Sequence, residues 1–189
     1  MTVLLTDPES RAVPVRECGE PLVPVPHGVV AVGGRPLVRS GLAARLAVAG
    51  LLLPPGRRLL VVAGHRSPAE VSGGRDRSPA EVAAHAAGAA VDVAMVDRLG
   101  RPVDLGPRTG PCAEEEEEGG GDLGLDAAVS AEARFERRLL ADALSGAGLV
   151  RHPTAWWHWS HGDGIWARAT RSPAARYGPI DAPARHREG

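Results

Sequence analysis

The apolar positions change their spacing several times along the chain, and each spacing predicts an element. Thr2 to Pro36 mixes Pro and Val with scattered charge, which predicts extended segments rather than helix. From Leu37 to Leu53 the positions Leu42, Leu46, Ala49 and Leu53 recur at helical spacing, and Pro54, Pro55 and Gly56 stop that helix. Leu59 to Ala63 is a short apolar, β-prone run ending at Gly64, the pattern of a buried strand. Ala89 to Val96 predicts a second one. Asp97 to Arg101 turns the chain, with Pro102 to Leu105 returning as a hairpin partner. Ser130 then caps an amphipathic helix whose stripe is Phe135, Leu139, Leu140, Ala143, Leu144 and Ala147, ended by Gly146 and Gly148. Trp156 to His161 and Ile165 to Ala169 read as the last two strands, joined across Gly162, Asp163 and Gly164. The Pro- and Arg-rich tail from Ser172 onward is expected to pack loosely.

Two stretches carry no such period. Arg66 to Pro79 holds a short repeat, Ser67-Pro-Ala-Glu-Val71 and Ser78-Pro-Ala-Glu-Val82, too brief for a solenoid. Each copy offers Ser as an N-cap and Pro at the first helical position, enough to start a single turn. Pro107 to Asp126 is a long loop containing Glu114 to Glu118 and three glycines. Five adjacent carboxylates lack the alternating ligand geometry of a calcium loop, so a solvated segment is expected.

Composition narrows the class. A length of 189 residues suits one domain, expected here to span 1–189 with loose ends at 1–10 and 180–189. At 43% hydrophobic and only 3% aromatic, the core must be built from Ala, Val and Leu. With 22 basic and 23 acidic residues the net charge is −1, which argues against nucleic-acid partners and against docking on anionic lipid. Lys is absent, so every basic side chain is Arg and no lysine nucleophile exists. Cys18 and Cys112 form no C-x-x-C pair and are too few for a disulfide framework. Met1 to Arg11 has no apolar core of a signal peptide, and no run of about 18 apolar residues occurs. The expectation is a soluble, reduced, cytoplasmic protein.

Three places carry candidate chemistry: Gly64-His65-Arg66 leaving the first buried strand, His85 to Asp92 with Gly88 between, and Trp156-Trp157-His158-Trp159. Asp92 lies inside an apolar strand, where a carboxylate costs several kcal/mol unless paired or bound to a cation. Either a metal shared with His85 or a neighbouring Arg would answer that cost. His158 reads as a ligand or as a packed core histidine, on the strand face opposite Trp157 and Trp159. Two His and one carboxylate, with a fourth position left for water, make the pattern of a catalytic zinc site. Beside such a site Arg66 could stabilise an oxyanion; otherwise it is a surface or salt-bridging Arg.

These motifs, in this order, resemble the D-alanyl-D-alanine dipeptidases of the VanX type. The similarity runs from about Thr6-Asp7-Pro8 to Tyr177-Gly178-Pro179 and takes in Glu20-Pro21-Leu22-Val23 and the helix after Ser130. The resemblance implies the α+β fold shared by D,D-carboxypeptidases and the hedgehog signalling domain. In that fold a mainly antiparallel central sheet has flanking helices and a metal in a cleft. It implies one zinc ion per chain on His85, Asp92 and His158, with Arg66 stabilising the transition state. The substrate would be the free D-Ala-D-Ala dipeptide, and its hydrolysis would limit or recycle cell-wall precursors. Two departures stand out. The family's general acid/base Glu directly before Trp-Trp-His is Ala155 here, and the link from Arg66 to His85 is short. The alternative is therefore an inactive zinc-binding homologue that holds a D-amino-acid peptide or a protein partner. The oligomeric state is left open.

Overall fold

The computed structural model describes residues 13–67, 79–107 and 129–181. The acidic run, Cys112 and most of the first repeat copy lie outside the described residues. Five strands form the main sheet: β2 (Val30–Ala31), β4 (Arg57–Ala63), β5 (Ala90–Asp97), β7 (His158–Ser160) and β6 (Val150–Arg151), side by side in that order. Only β2 runs parallel to its neighbour; the other pairings are antiparallel. A small second sheet pairs β1 (Leu22–Pro24) with β3 (Leu37–Arg39). Four helices complete the described architecture: α1 (Ser40–Leu52), α2 (Pro79–Ala86), α3 (Ala131–Gly146) and α4 (Gly164–Ala169). The mixed α+β class and the mainly antiparallel sheet are as the sequence implied.

Strand alternation decides which residues meet. In the β4–β5 register Leu59 faces Met95 and Val61 faces Val93. These side chains share one core cluster with Leu42 and Leu46 of α1 and Leu140 and Leu144 of α3. Asp92, one residue out of phase with Val91 and Val93, therefore points to the other side of the sheet. A register shift between Val61 and Ala63 brings Ala63 opposite Asp92, next to the departing Gly64.

Several local expectations are corrected. The helical spacing from Leu37 starts three residues too early, because Leu37–Arg39 is strand β3 against β1 and the helix begins at Ser40. Ile165–Ala169 is a helix, not a strand. Asp163 caps it, its Oδ1 accepting the Trp166 N–H at 2.8 Å and the Ser160 hydroxyl at 2.8 Å. The hairpin partner of β7 is instead β6, which precedes it. Pro102 to Leu105 returns beside β5 through one bridge, Val96 to Pro102, without becoming a strand. On α3 the Ser130 cap forms as expected, accepting the Ala133 N–H at 3.0 Å, but Phe135 is 60% exposed. Its place is taken by Glu136, paired with Arg57, and by Arg137, which donates to the Leu105 carbonyl and lies over the Trp156 ring.

The tail is likewise packed, not loose, as far as it is described. Arg16 and Cys18 donate backbone N–H groups to Ala175 and Arg176, and the buried Tyr177 hydroxyl donates to Glu20 at 2.8 Å. Ile180 is held twice, its N–H on the Ala86 carbonyl and its carbonyl on His65 Nε2.

Arg39 joins these segments. Its buried guanidinium donates to the carbonyls of Ala87, Glu20 and Gly178 and to the Glu17 carboxylate. Removing one partner of a buried pair costs about 3–5 kcal/mol, and the half-exposed Glu17 places this one at the low end. Arg39→Ala is thus expected to lose about 3 kcal/mol in urea unfolding of the metal-free protein. A loss below about 1 kcal/mol, the value of one ordinary hydrogen bond, would contradict that role.

Candidate metal centre

The last turn of α2 carries His85, and Gly88 follows with φ +65, a conformation open to glycine at little cost. A side chain there would also collide with Leu22 of β1. This tight turn feeds the chain straight into β5, so His85 ends above Asp92. The third member arrives across the sheet: in the β5–β7 register Asp92 stands directly opposite His158. One ligand atom from each of the three residues lies within 4.8 Å of the others. Their exposures are 1%, 2% and 0% for His85, Asp92 and His158.

Asp92 Oδ1 lies 3.1 Å from His85 Nε2 and 3.1 Å from His158 Nδ1. Burial works to raise the Asp92 pKa, but the contacts with His158 and His85 hold it far below the usual carboxylate range. Burial pushes the His85 ring down, against the pull of Asp92, so the ring is neutral near pH 7. His85 Nδ1 lies 2.7 Å from the Gly64 carbonyl, which can only accept. The single proton of a neutral ring is therefore on Nδ1, and Nε2 turns a bare lone pair toward a carboxylate oxygen. Two electron-rich atoms at that distance repel unless a cation lies among them. The donor set thus fits a divalent metal ion, and His85, Asp92 and His158 could hold it.

The remaining candidates fall around this group. Arg66 is half-buried, its N–H on the His85 carbonyl at 3.3 Å, and its guanidinium has no acceptor among the described residues. Ala155 is 3% exposed, and its carbonyl accepts the His158 N–H at 3.1 Å, so position 155 begins one turn from His158. His161 and Asp163, the titratable side chains that follow His158 in the chain, are engaged elsewhere. Asp163 caps α4, while the His161 ring packs edge-on against Trp166 and Tyr177. The sequence reading missed His152 and Glu81. Both are buried close by, yet neither stands in a motif.

His161 has a consequence for acid stability. Burial first, then Arg45 and Arg176, pushes its ring from 6.5 down to about 4. Below the unfolded value the unfolded chain binds a proton that the native ring refuses, so stability falls as pH drops from about 6.5 towards 4. His161→Gln is expected to flatten the fall in Tm across that window. An unchanged slope would mean His161 does not titrate this way.

Comparison with known proteins agrees with this geometry. The sequence profile of the family Peptidase_M15, described as D-ala-D-ala dipeptidase, matches residues 60–174. That span contains Arg66, His85, Asp92, Ala155 and His158. A D-alanyl-D-alanine dipeptidase of Synechocystis sp. (strain ATCC 27184 / PCC 6803 / Kazusa) is 29% identical over 218 aligned positions, covering 82% of this chain and 87% of the relative. With the matched span covering well over half of the chain, and a buried His-Asp-His group suited to a metal at its centre, the chain belongs to the D-Ala-D-Ala dipeptidase family Peptidase_M15, as a dipeptidase-type metallopeptidase.

Proposed function

We propose that this protein is a single-domain, cytoplasmic zinc dipeptidase acting on D-Ala-D-Ala, with hydrolysis impaired by Ala155. The bare Nε2 of His85 facing Asp92 carries the reading, since it calls for a cation among His85, Asp92 and His158. Three protein ligands of this kind suit zinc, which when bound polarises a carbonyl and makes water acidic near pH 7. No helix among the described residues is long and apolar enough to cross a membrane. That agrees with a small peptide substrate met in solution and turned over for cell-wall metabolism.

Hydrolysis joins a water oxygen to the peptide carbon, breaks the C–N bond and carries a proton from water to the leaving amine. Arg66, whose guanidinium has no acceptor among the described residues, would neutralise the negative charge that develops on the carbonyl oxygen. The proton needs a carrier near the reacting centre, and a methyl group at 155 cannot serve. Proton transfer by a positioned side chain is worth about 10²–10⁴ in rate. That same deficit favours the second reading, a homologue that keeps the metal and binds a D-amino-acid peptide or a protein partner without cleaving it.

The deciding experiment measures D-Ala released from D-Ala-D-Ala by zinc-loaded protein beside its Arg66→Ala variant. Slow turnover that falls further in Arg66→Ala, with zinc content unchanged, supports the dipeptidase. Loss of the metal in that variant would mean that Arg66 is structural. Complete silence with zinc bound leaves the binding homologue.

A further inference from the structure

Gly64-His65-Arg66 brings a carbonyl and a guanidinium to the chemistry above, and the ring of His65 is left over. Gly64 is buried against β3, where a side chain would meet the Leu37 carbonyl at 2.7 Å and Pro36 Cβ at 2.9 Å. This close approach fixes one peptide group at both edges. The His65 N–H donates to the Leu37 carbonyl at 2.7 Å, and the Gly64 carbonyl of the same peptide accepts from His85 Nδ1 at 2.7 Å. A ligand histidine is normally oriented by the hydrogen bond that its other ring nitrogen donates. The aim of His85 therefore depends on how firmly this peptide is held against the end of α2.

Gly64 and His85 are 21 positions apart in sequence, and the tail bridges them. Ile180 donates its N–H to the carbonyl of Ala86, the residue after His85, at 3.0 Å. Its own carbonyl lies 2.7 Å from His65 Nε2. A carbonyl only accepts, so the His65 ring donates and carries a hydrogen on Nε2. The result is a closed circuit. It runs from the His85 ring to Gly64, along the chain to His65, from that ring to Ile180, and through Ala86 back to His85. Within this circuit only His65 contributes a side chain from outside the metal group. We propose that His65 is a positioning residue for the metal centre: its ring fastens the tail across the end of α2 and so holds the Gly64 carbonyl within reach of His85 Nδ1. Such a link orders His85 before the metal arrives, so less freedom is lost on binding and affinity rises. The inference rests on the metal-site reading of His85, Asp92 and His158.

The test is metal binding, read by chelator competition with Zn²⁺ and by the visible spectrum of the Co²⁺-loaded protein. Loss of an outer partner of a metal ligand typically costs about 10–100-fold in affinity, and His65 acts one residue further out. His65→Phe, which keeps a ring and loses the donor, should therefore weaken Zn²⁺ by about 10-fold and shift the Co²⁺ bands. His65→Gln, whose amide N–H can reach the same carbonyl, should recover most of both. Ile180→Pro removes the N–H at the other end of the link and should match His65→Phe; it carries the test if His65→Phe does not fold. Unchanged affinity and Co²⁺ bands in these variants, with or without a lowered Tm, overturn the proposal. An equal loss in His65→Gln and His65→Phe overturns it too. Failure of the unmodified protein to bind either metal overturns the metal-site reading itself, a distinct result.

Discussion

His158→Ala protein should bind no stoichiometric zinc. The variant removes one of three ligand atoms, and it does so where nothing can move in to replace it. His158 lies within strand β7, hydrogen-bonded across to β5, with its ring fully buried. The loss should exceed the 10–100-fold that an outer-shell change costs, because a direct ligand disappears. Removing the ring also relieves the metal-free protein of a buried imidazole whose Nε2 has no partner among the described residues. The variant is therefore expected to fold, with a circular dichroism spectrum like that of the parent. Metal analysis after dialysis checks the outcome. Full zinc retention in a folded His158→Ala protein would falsify the ligand assignment.

The second large effect runs in the opposite direction. Ala155→Glu should raise D-Ala release from D-Ala-D-Ala by about 10²–10⁴-fold, the usual worth of a positioned general acid/base. The turn closed by His158 N–H on the Ala155 carbonyl sets any side chain at 155 beside His158. Ala155→Gln supplies the control, with nearly the same shape and hydrogen bonding but no proton to exchange. A rise confined to Glu identifies proton transfer as the missing step. Equal rates in the Glu, Gln and parent proteins would place the deficit elsewhere, in the short link between Arg66 and His85, and favour a binding role.

How much of this was legible depends on the range of the interactions involved. The strand at Leu59 and the helix after Ser130 follow from local patterns, because a buried strand and an N-cap are decided within a few residues. Ile165–Ala169 misled because five apolar residues fit either period. The signal that resolves it is Asp163, whose side chain reaches forward to the Trp166 N–H. Phe135 misled for another reason. The apolar stripe assumed that charge stays outside, yet Glu136 and Arg137 go inside since Arg57 and the Leu105 carbonyl are there to meet them. Nothing local reports such partners.

The site divides in the same way. The identities of His85, Asp92 and His158, the glycine that lets the chain turn between the first two, and the alanine at 155 are properties of the chain as written. A carboxylate in an apolar strand announces that it needs a partner, whatever the fold. Which partner it finds is decided by the β5–β7 register, which sets Asp92 opposite a histidine 66 residues away. A slip of one residue would turn His158 to the other face of the sheet. The tertiary structure alone sets the Gly64 carbonyl to accept from His85 Nδ1, with Nε2 turned towards Asp92. Hydrogen bonds and desolvation act over a few ångströms, and only folding brings such distant segments that close.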